Sequence, residues 1–209
     1  MRIRTAEALA IMKYSAKVQS AILGLAIATS CLAKAAEKPI DIERSTLRIH
    51  VGKAGLFSVA GHEHWVTAPI AQGGLEETEP SHIWFRIDAA KLAVENDKDL
   101  SSAQQAEVQR TMQTKVLDSD HYPEITFRST SIERASAGGW LVKGDLSLHG
   151  QTHPVSTVVH KQAEAYVGHC QIKQTAFGIH PVTVAGGTVK VKDELQIEFS
   201  IAPVPSSAP

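Results

Sequence analysis

The chain is poor in cysteine. Its 209 residues include two, Cys31 and Cys170. A disulfide-stapled scaffold needs an even set of cysteines in one mature domain, so that class is excluded. There is no excess of charge of either sign: 21 Lys and Arg stand against 22 Asp and Glu. Without a basic surplus to neutralise phosphates, nucleic acid is not an expected partner. No apolar run is long enough to cross a bilayer, where ~20 residues are needed. No internal repeat occurs, and no Gly-rich loop follows a strand pattern, which argues against nucleotide-binding α/β folds. No G-x-S-x-G elbow is present, and Cys170 lies in an alternating segment that suits a small packed hydrophobe. The sequence therefore points away from nucleophilic catalysis, and no cofactor is expected.

What is present begins with an export signal. Arg2, Arg4, Lys13 and Lys17 precede a charge-free apolar run over 21–33. Ala33-Lys34-Ala35 then reads as a small-x-small cleavage site, so 1–35 is expected to be a signal peptide. Met12 would open a more conventional signal and is an alternative start. Ala28-Thr29-Ser30-Cys31 loosely resembles a lipoprotein box, a second way to leave the chain exported. The mature part holds all ten histidines. Pro203 to Pro209 reads as a short disordered tail.

The mature part alternates with period two, the mark of half-buried antiparallel strands. Such runs are 46–51, 82–88, 125–132, 140–148, 153–160, 166–177 and 188–201. In the last, Val189, Val191, Leu195, Ile197, Phe199 and Ile201 share a face with Asp193. Gly73-Gly74, Glu79-Pro80, Gly138-Gly139, Gly150 and Gly186-Gly187 are read as turns. Glu76-Glu77-Thr78-Glu79 is read as a solvated turn. Strands at this spacing predict a sandwich or barrel. One helix interrupts them over about 101–117. Ser101 and Gln104 form its capping box, and Val108, Met112 and Val116 form a narrow apolar stripe that would cover one side of the sheet.

Two features are candidates for binding. His62 and His64, two apart, could share a face, and His149 and His153 flank a turn at Gly150. Either pair could ligate a metal, or simply serve loop and strand ends. The aromatics Phe57, Trp65, Phe85, Phe127, Trp140, Phe177 and Phe199 are spread over different strands. In a small barrel they either fill the interior or line a cavity. Ser129 and Ser131 share the face of Phe127, and Gly144 lies between Val142 and Leu146. Small residues at those positions predict an open interior.

Three segments carry a family resemblance. Leu117 to Thr130 (LDSDHYPEITFRST) resembles the helix-to-strand junction of the YceI-like family. Val142 to Val155 (VKGDLSLHGQTHPV) resembles its strand–turn–strand motif, and Ala176-Phe177-Gly178-Ile179 resembles its D-F-G-I loop, with Ala176 in place of Asp. The resemblance runs from about Ile40 to Ala202. It implies a lipocalin-like, eight-stranded antiparallel β-barrel over 36–202, with a helix inserted before the fifth strand. It implies a periplasmic, non-enzymatic binding protein for a long isoprenoid or quinone-like lipid. The expected wall is Trp65, Phe85, Phe127, Trp140, Phe177 and Phe199, with His62 and His64 addressing a headgroup. The rival from another class is a His-based metal-binding protein or metal-dependent hydrolase.

Overall fold

A computed structural model describes residues 37–54, 63–78, 81–184 and 189–205. Among these residues the fold is one strongly curled antiparallel sheet with a single α-helix. Eight of its strands have seven or more residues: β2 (Thr46–Ala54), β4 (Ile70–Glu76), β5 (His82–Asp88), β7 (Glu124–Arg134), β8 (Trp140–Leu148), β9 (Gln151–Gln162), β10 (Ala165–Lys173) and β12 (Val189–Ile201). Four are short: β1 (Lys38–Pro39), β3 (His64–Thr67), β6 (Ala93–Val94) and β11 (Thr183–Val184). The order across the sheet is β1-β4-β5-β7-β8-β9-β10-β12-β2-β3-β6, with β11 beside β12.

The two ends of that order meet through the chain itself. β3 pairs with β2, and β4 pairs with β5, yet only Ala68 and Pro69 separate β3 from β4. Ala68 still donates its N–H to Leu47 O at 2.9 Å. Pro69 has no N–H to continue that ladder, so the segment changes neighbours there. β3 and β4 thus act as one bent strand that joins both ends of the sheet and closes an eight-stranded barrel. β1 fills the seam beside β4. Ile40 N donates to Gly73 O at 2.9 Å, while Asp41 N and Val204 N tie the same segment to Ala202 O and Pro39 O. We call the end carrying the β4–β5, β7–β8 and β9–β10 connections the upper end, and the opposite end the lower.

β1 explains why Gly73 and Gly74 are not a turn. Both lie within β4, and a Cβ on Gly73 would sit 2.5 Å from the Ile40 side chain and 2.7 Å from Trp84 O. Glycine here permits close approach rather than a bend. Glu76, expected in solvent, is the last residue of β4 and is buried. The run 166–177 stops as a strand at Lys173. Gln174–Phe177 forms a 3₁₀ turn closed by Gly178 at φ 71°. That turn is held by a bulge in β12, where the register with β2 shifts between Val191 and Leu195. The bulge turns Asp193 away from the apolar face, where it accepts from Thr175 N and Oγ1 at 2.8 and 2.7 Å. His149 and Gly150, at φ 50° and 72°, make the tight β8–β9 turn, the two-residue geometry that suits twisted hairpins.

The helix α1 (Ser102–Thr111) starts at the expected capping box of Ser101 and Gln104 and continues as π-helical turns over Met112–Val116. It docks on the edge strand β6. Gln109 accepts from Val94 N and donates to Leu92 O, both at 2.8 Å, and Gln105 donates to Glu95 O at 2.9 Å. The two amides stand in for a missing strand, which leaves the edge covered.

A second bulge corrects the facing of β7. Its register with β8 shifts between Ser129 and Ser131. The inward row changes there from Ile125 and Phe127 to Ile132 and Arg134. Ser129 is not a wall residue. Its hydroxyl accepts the Ile83 N–H at 2.9 Å, the donor that the neighbouring ladder leaves over. Ser129→Ala should therefore orphan that N–H at a cost of about 1–3 kcal/mol, lowering the melting temperature by several degrees. Calorimetry that found no change would refute this role.

Candidate functional site

The barrel encloses a cavity of about 860 Å³. Its wall is built from the inward rows of the strands. Examples are Leu47, Ile49 and Val51 on β2 and Leu195, Ile197 and Phe199 on β12. Val108, Met112 and Val116 of the helical segment close one side. Left empty and sealed, such a volume would cost about 20 kcal/mol at roughly 24 cal/mol per Å³. That exceeds the 5–15 kcal/mol net stability typical of a domain. The space is too large to be a packing fault of a sealed core. Its size lies in the upper part of the roughly 300–1,000 Å³ range of ligand pockets.

Aromatic rings keep it open by lying against the wall. Phe127 covers Gly144: a Cβ on that glycine would sit 2.5 Å from the ring. Phe199 covers Gly168 in the same way, at 2.6 Å. Gly144 therefore does not leave a gap of its own; it lets Phe127 lie flat. Phe85 stacks on Phe127 at 5.3 Å between centroids, and Trp140 meets Tyr166 edge-on at 5.7 Å.

Of the expected wall residues, Phe85, Phe127, Trp140 and Phe199 line the cavity, as does His64. Two do not. Trp65 points outward from β3, under the Arg48 guanidinium at 4.3 Å and beside His50 at 4.8 Å. Phe177 is buried in the turn after β10, with its ring edge-on to His153 at 5.1 Å. His62 and Phe57 lie outside the described residues. His149 and His153 both serve Phe177, the former with Nδ1 3.2 Å from its carbonyl oxygen. Among the described residues, no three His, Cys, Asp or Glu side chains are grouped to hold a metal ion. Cys170 faces the cavity, and burial pushes its thiol up to about 11. It is a protonated thiol at neutral pH.

The polar groups of the upper end escaped the sequence reading. Glu77, the residue after β4, accepts from Lys38 Nζ at 2.6 Å, from the Tyr166 hydroxyl, and from Lys161 Nζ at 3.4 Å. The Lys38 bond, with help from Tyr166, holds its carboxyl down at about 2. Burial, and then the same carboxylate, raise the Tyr166 phenol. His82 has Nε2 2.9 Å from Glu37 and Nδ1 3.5 Å from the buried Glu76. Trp84 Nε1 donates to Glu37 at 2.9 Å, and these bonds lower the Glu37 carboxyl, His82 first. Glu77 joins three separated segments, a convergence that no local pattern announces.

Comparison with known proteins places this geometry. The YceI-like domain profile matches residues 39–202. A UPF0312 protein of Vibrio cholerae (strain M66-2) is 32% identical over 94 residues, which cover 39% of this chain and 47% of that protein. The same match recurs in the El Tor strain N16961. The chain thus spans about half the length of the curated relatives it matches. Among solved structures, Burkholderia cenocepacia BcnA superposes with a TM-score of 0.55 at 19% identity, covering 78% of this chain and 98% of that one. A polyisoprenoid binding domain from Saccharophagus degradans, described as implicated in plant cell wall breakdown, gives 0.54 at 13%, covering 80% and 98%. At these identities the superpositions show a shared fold.

The Glu77 network sets a pH dependence. Its carboxyl falls from an ordinary 4.5 to about 2 on folding. The stabilisation is therefore complete above the ordinary value and is lost as pH falls towards 2. It amounts to at most about 3 kcal/mol. Glu77→Gln should melt several degrees below wild type at pH 7, and the gap should close between pH 4.5 and 2. A gap independent of pH would contradict the assignment.

Proposed function

The chain belongs to the YceI-like domain family, and from that premise we propose that it is an exported, non-enzymatic protein that holds the apolar tail of an isoprenoid or quinone-like lipid in its barrel. The observation that carries this reading is the apolar cavity of about 860 Å³. Burial of each CH₂ contributes about 0.8 kcal/mol, so an isoprene unit contributes about 4 kcal/mol. A few such units offset the estimated 4–15 kcal/mol lost on association. No polar anchor is needed for affinity. The structural neighbour from Saccharophagus degradans, described as polyisoprenoid binding, supports the same class of ligand.

Export and periplasmic residence rest on the basic, apolar and Ala-x-Ala order of residues 1–35. Among the described residues, no helix is long and apolar enough to cross a membrane. A lipid held by the barrel would have its tail shielded from water along its length, which is what movement through an aqueous compartment requires.

The test is uptake of a fluorescent geranylgeranyl probe. Wild type should bind one probe per chain. Val155 lines the cavity, whereas Val158 on the same strand is 40% exposed. Val155→Trp should weaken uptake at least tenfold, and Val158→Trp should leave it unchanged. A wild type that takes up no probe, or a Val155→Trp variant that binds normally while folded, would defeat the proposal.

A further inference from the structure

The barrel wall is not laddered all the way round. β9 pairs with β8 from Gln151 to Val159, and β10 pairs with β12 from Tyr166 to Lys173. Between β9 and β10 themselves the pairing runs only from Gln162 opposite Ala165 to Val159 opposite Gly168. Below that point the tie is a side chain. The Thr157 hydroxyl donates to His169 O at 2.6 Å, in the place of a backbone N–H. Pro154, further down β9, has no N–H, and proline inside a strand suits a stretch with a free edge. The parting is bounded at both ends. Above it, Lys161 and Tyr166 both bond Glu77. Below it, the 3₁₀ turn sets Phe177 against His153, and His149 Nδ1 lies 3.2 Å from the Phe177 carbonyl oxygen. Between these bounds, Val155 and Thr157 line the cavity from β9, and Cys170 and Ile172 from β10. Ser156 lines it too, although the alternation of β9 points its side chain outward and it is exposed. Among the described residues, the cavity therefore reaches the outer surface between the two strands.

We propose that this parting is a side window through which the apolar tail of the lipid enters and leaves the barrel. The inference rests on the lipid-carrier reading and adds the route of exchange. The upper end suits that passage poorly. Glu77 and Tyr166 stand in the cavity wall there, and Glu77 is ion-paired with Lys38 and Lys161. An apolar chain moving between them would separate charged groups from each other and from water. The window instead offers Val155, Ile172 and the Cys170 thiol, against which an apolar tail displaces water favourably. Opening it breaks the Thr157 bond to His169 O, at a position where water can replace the lost partner. Both strands keep their outer ladders, β9 to β8 and β10 to β12, while they flex apart. The sheet need not unzip to admit a tail.

Locking the window tests this. Ser156 and Gln171 would face each other if the ladder ran on past Val159 and Gly168. In the full chain with Cys31→Ser and Cys170→Ser, the pair Ser156→Cys, Gln171→Cys is closed by oxidation, or by bismaleimidoethane where the thiols do not meet. Stopped-flow fluorescence then follows a geranylgeranyl probe. Closure should slow uptake and release alike by about tenfold or more, while affinity stays within about twofold. Reduction of the disulfide should restore both rates. The same bridge between Arg128→Cys and Asp145→Cys, opposite each other on the continuous β7–β8 ladder, should leave both rates alone. Thr157→Val, which removes the tie to His169 O, should speed both rates several-fold. A bridged window that exchanges probe at the unbridged rate overturns the proposal. So does a β7–β8 bridge that slows exchange as much, or a Thr157→Val variant no faster than wild type. Failure of the probe to bind the unbridged chain would strike the carrier reading rather than the route.

Discussion

The structure depends on barrel closure at a single proline. Ala68 still pairs with β2 through Leu47 O, and the next residue, Pro69, has no donor to offer. The chain therefore leaves β2 and joins β5 as β4. Because β3 and β4 are one covalent segment, both ends of the sheet are bound to each other without a conventional ladder between them. The seam this leaves beside β4 is occupied by Lys38 to Asp41, which pairs on one side with Gly73 and Leu75 and on the other with Ala202 and Val204. The glycines of β4 make that fit possible.

Closure around eight long strands sets the interior width, and the side chains do not fill it. Phe127 and Phe199 are large enough to reach towards the axis, but each lies over a glycine of the neighbouring strand. The wall is thereby thickened and smoothed while the centre stays open. The buried cluster includes Phe177, Ile179, Leu117 and Leu148, the last three of which also form part of the cavity wall. There the 3₁₀ turn, the end of the helical segment and the β8–β9 hairpin converge. The Glu77 and His82 networks hold the seam strand at the upper end.

The alternating runs of β2, β5, β7, β8, β9, β10 and β12 were legible because each has one apolar and one solvated face. β4 was not, since Gly73 and Gly74 carry no side chains to alternate and look like a turn. Faces were lost where bulges intervene. Ser129 and Asp193 sit beside register shifts, and a shift of one residue reverses every assignment beyond it. Trp65 and Phe177 show a different limit. An aromatic residue covers an outer-face arginine, seals a turn or lines a cavity equally well, and only tertiary placement decides which. The Glu77 cluster joins residues 38, 77, 161 and 166, so no local window contains it. The helix was legible in full at its start, because a capping box is local chemistry.

The central claim is that the barrel carries an apolar tail in its own setting. The most direct measurement is native mass spectrometry of the protein purified without detergent from the organism that makes it. The account predicts a one-to-one complex whose extra mass is removed by organic solvent and extracts as a single-tailed lipid. A protein that is folded, carries no extractable lipid, and stays free when incubated with that organism's total lipid extract would contradict it.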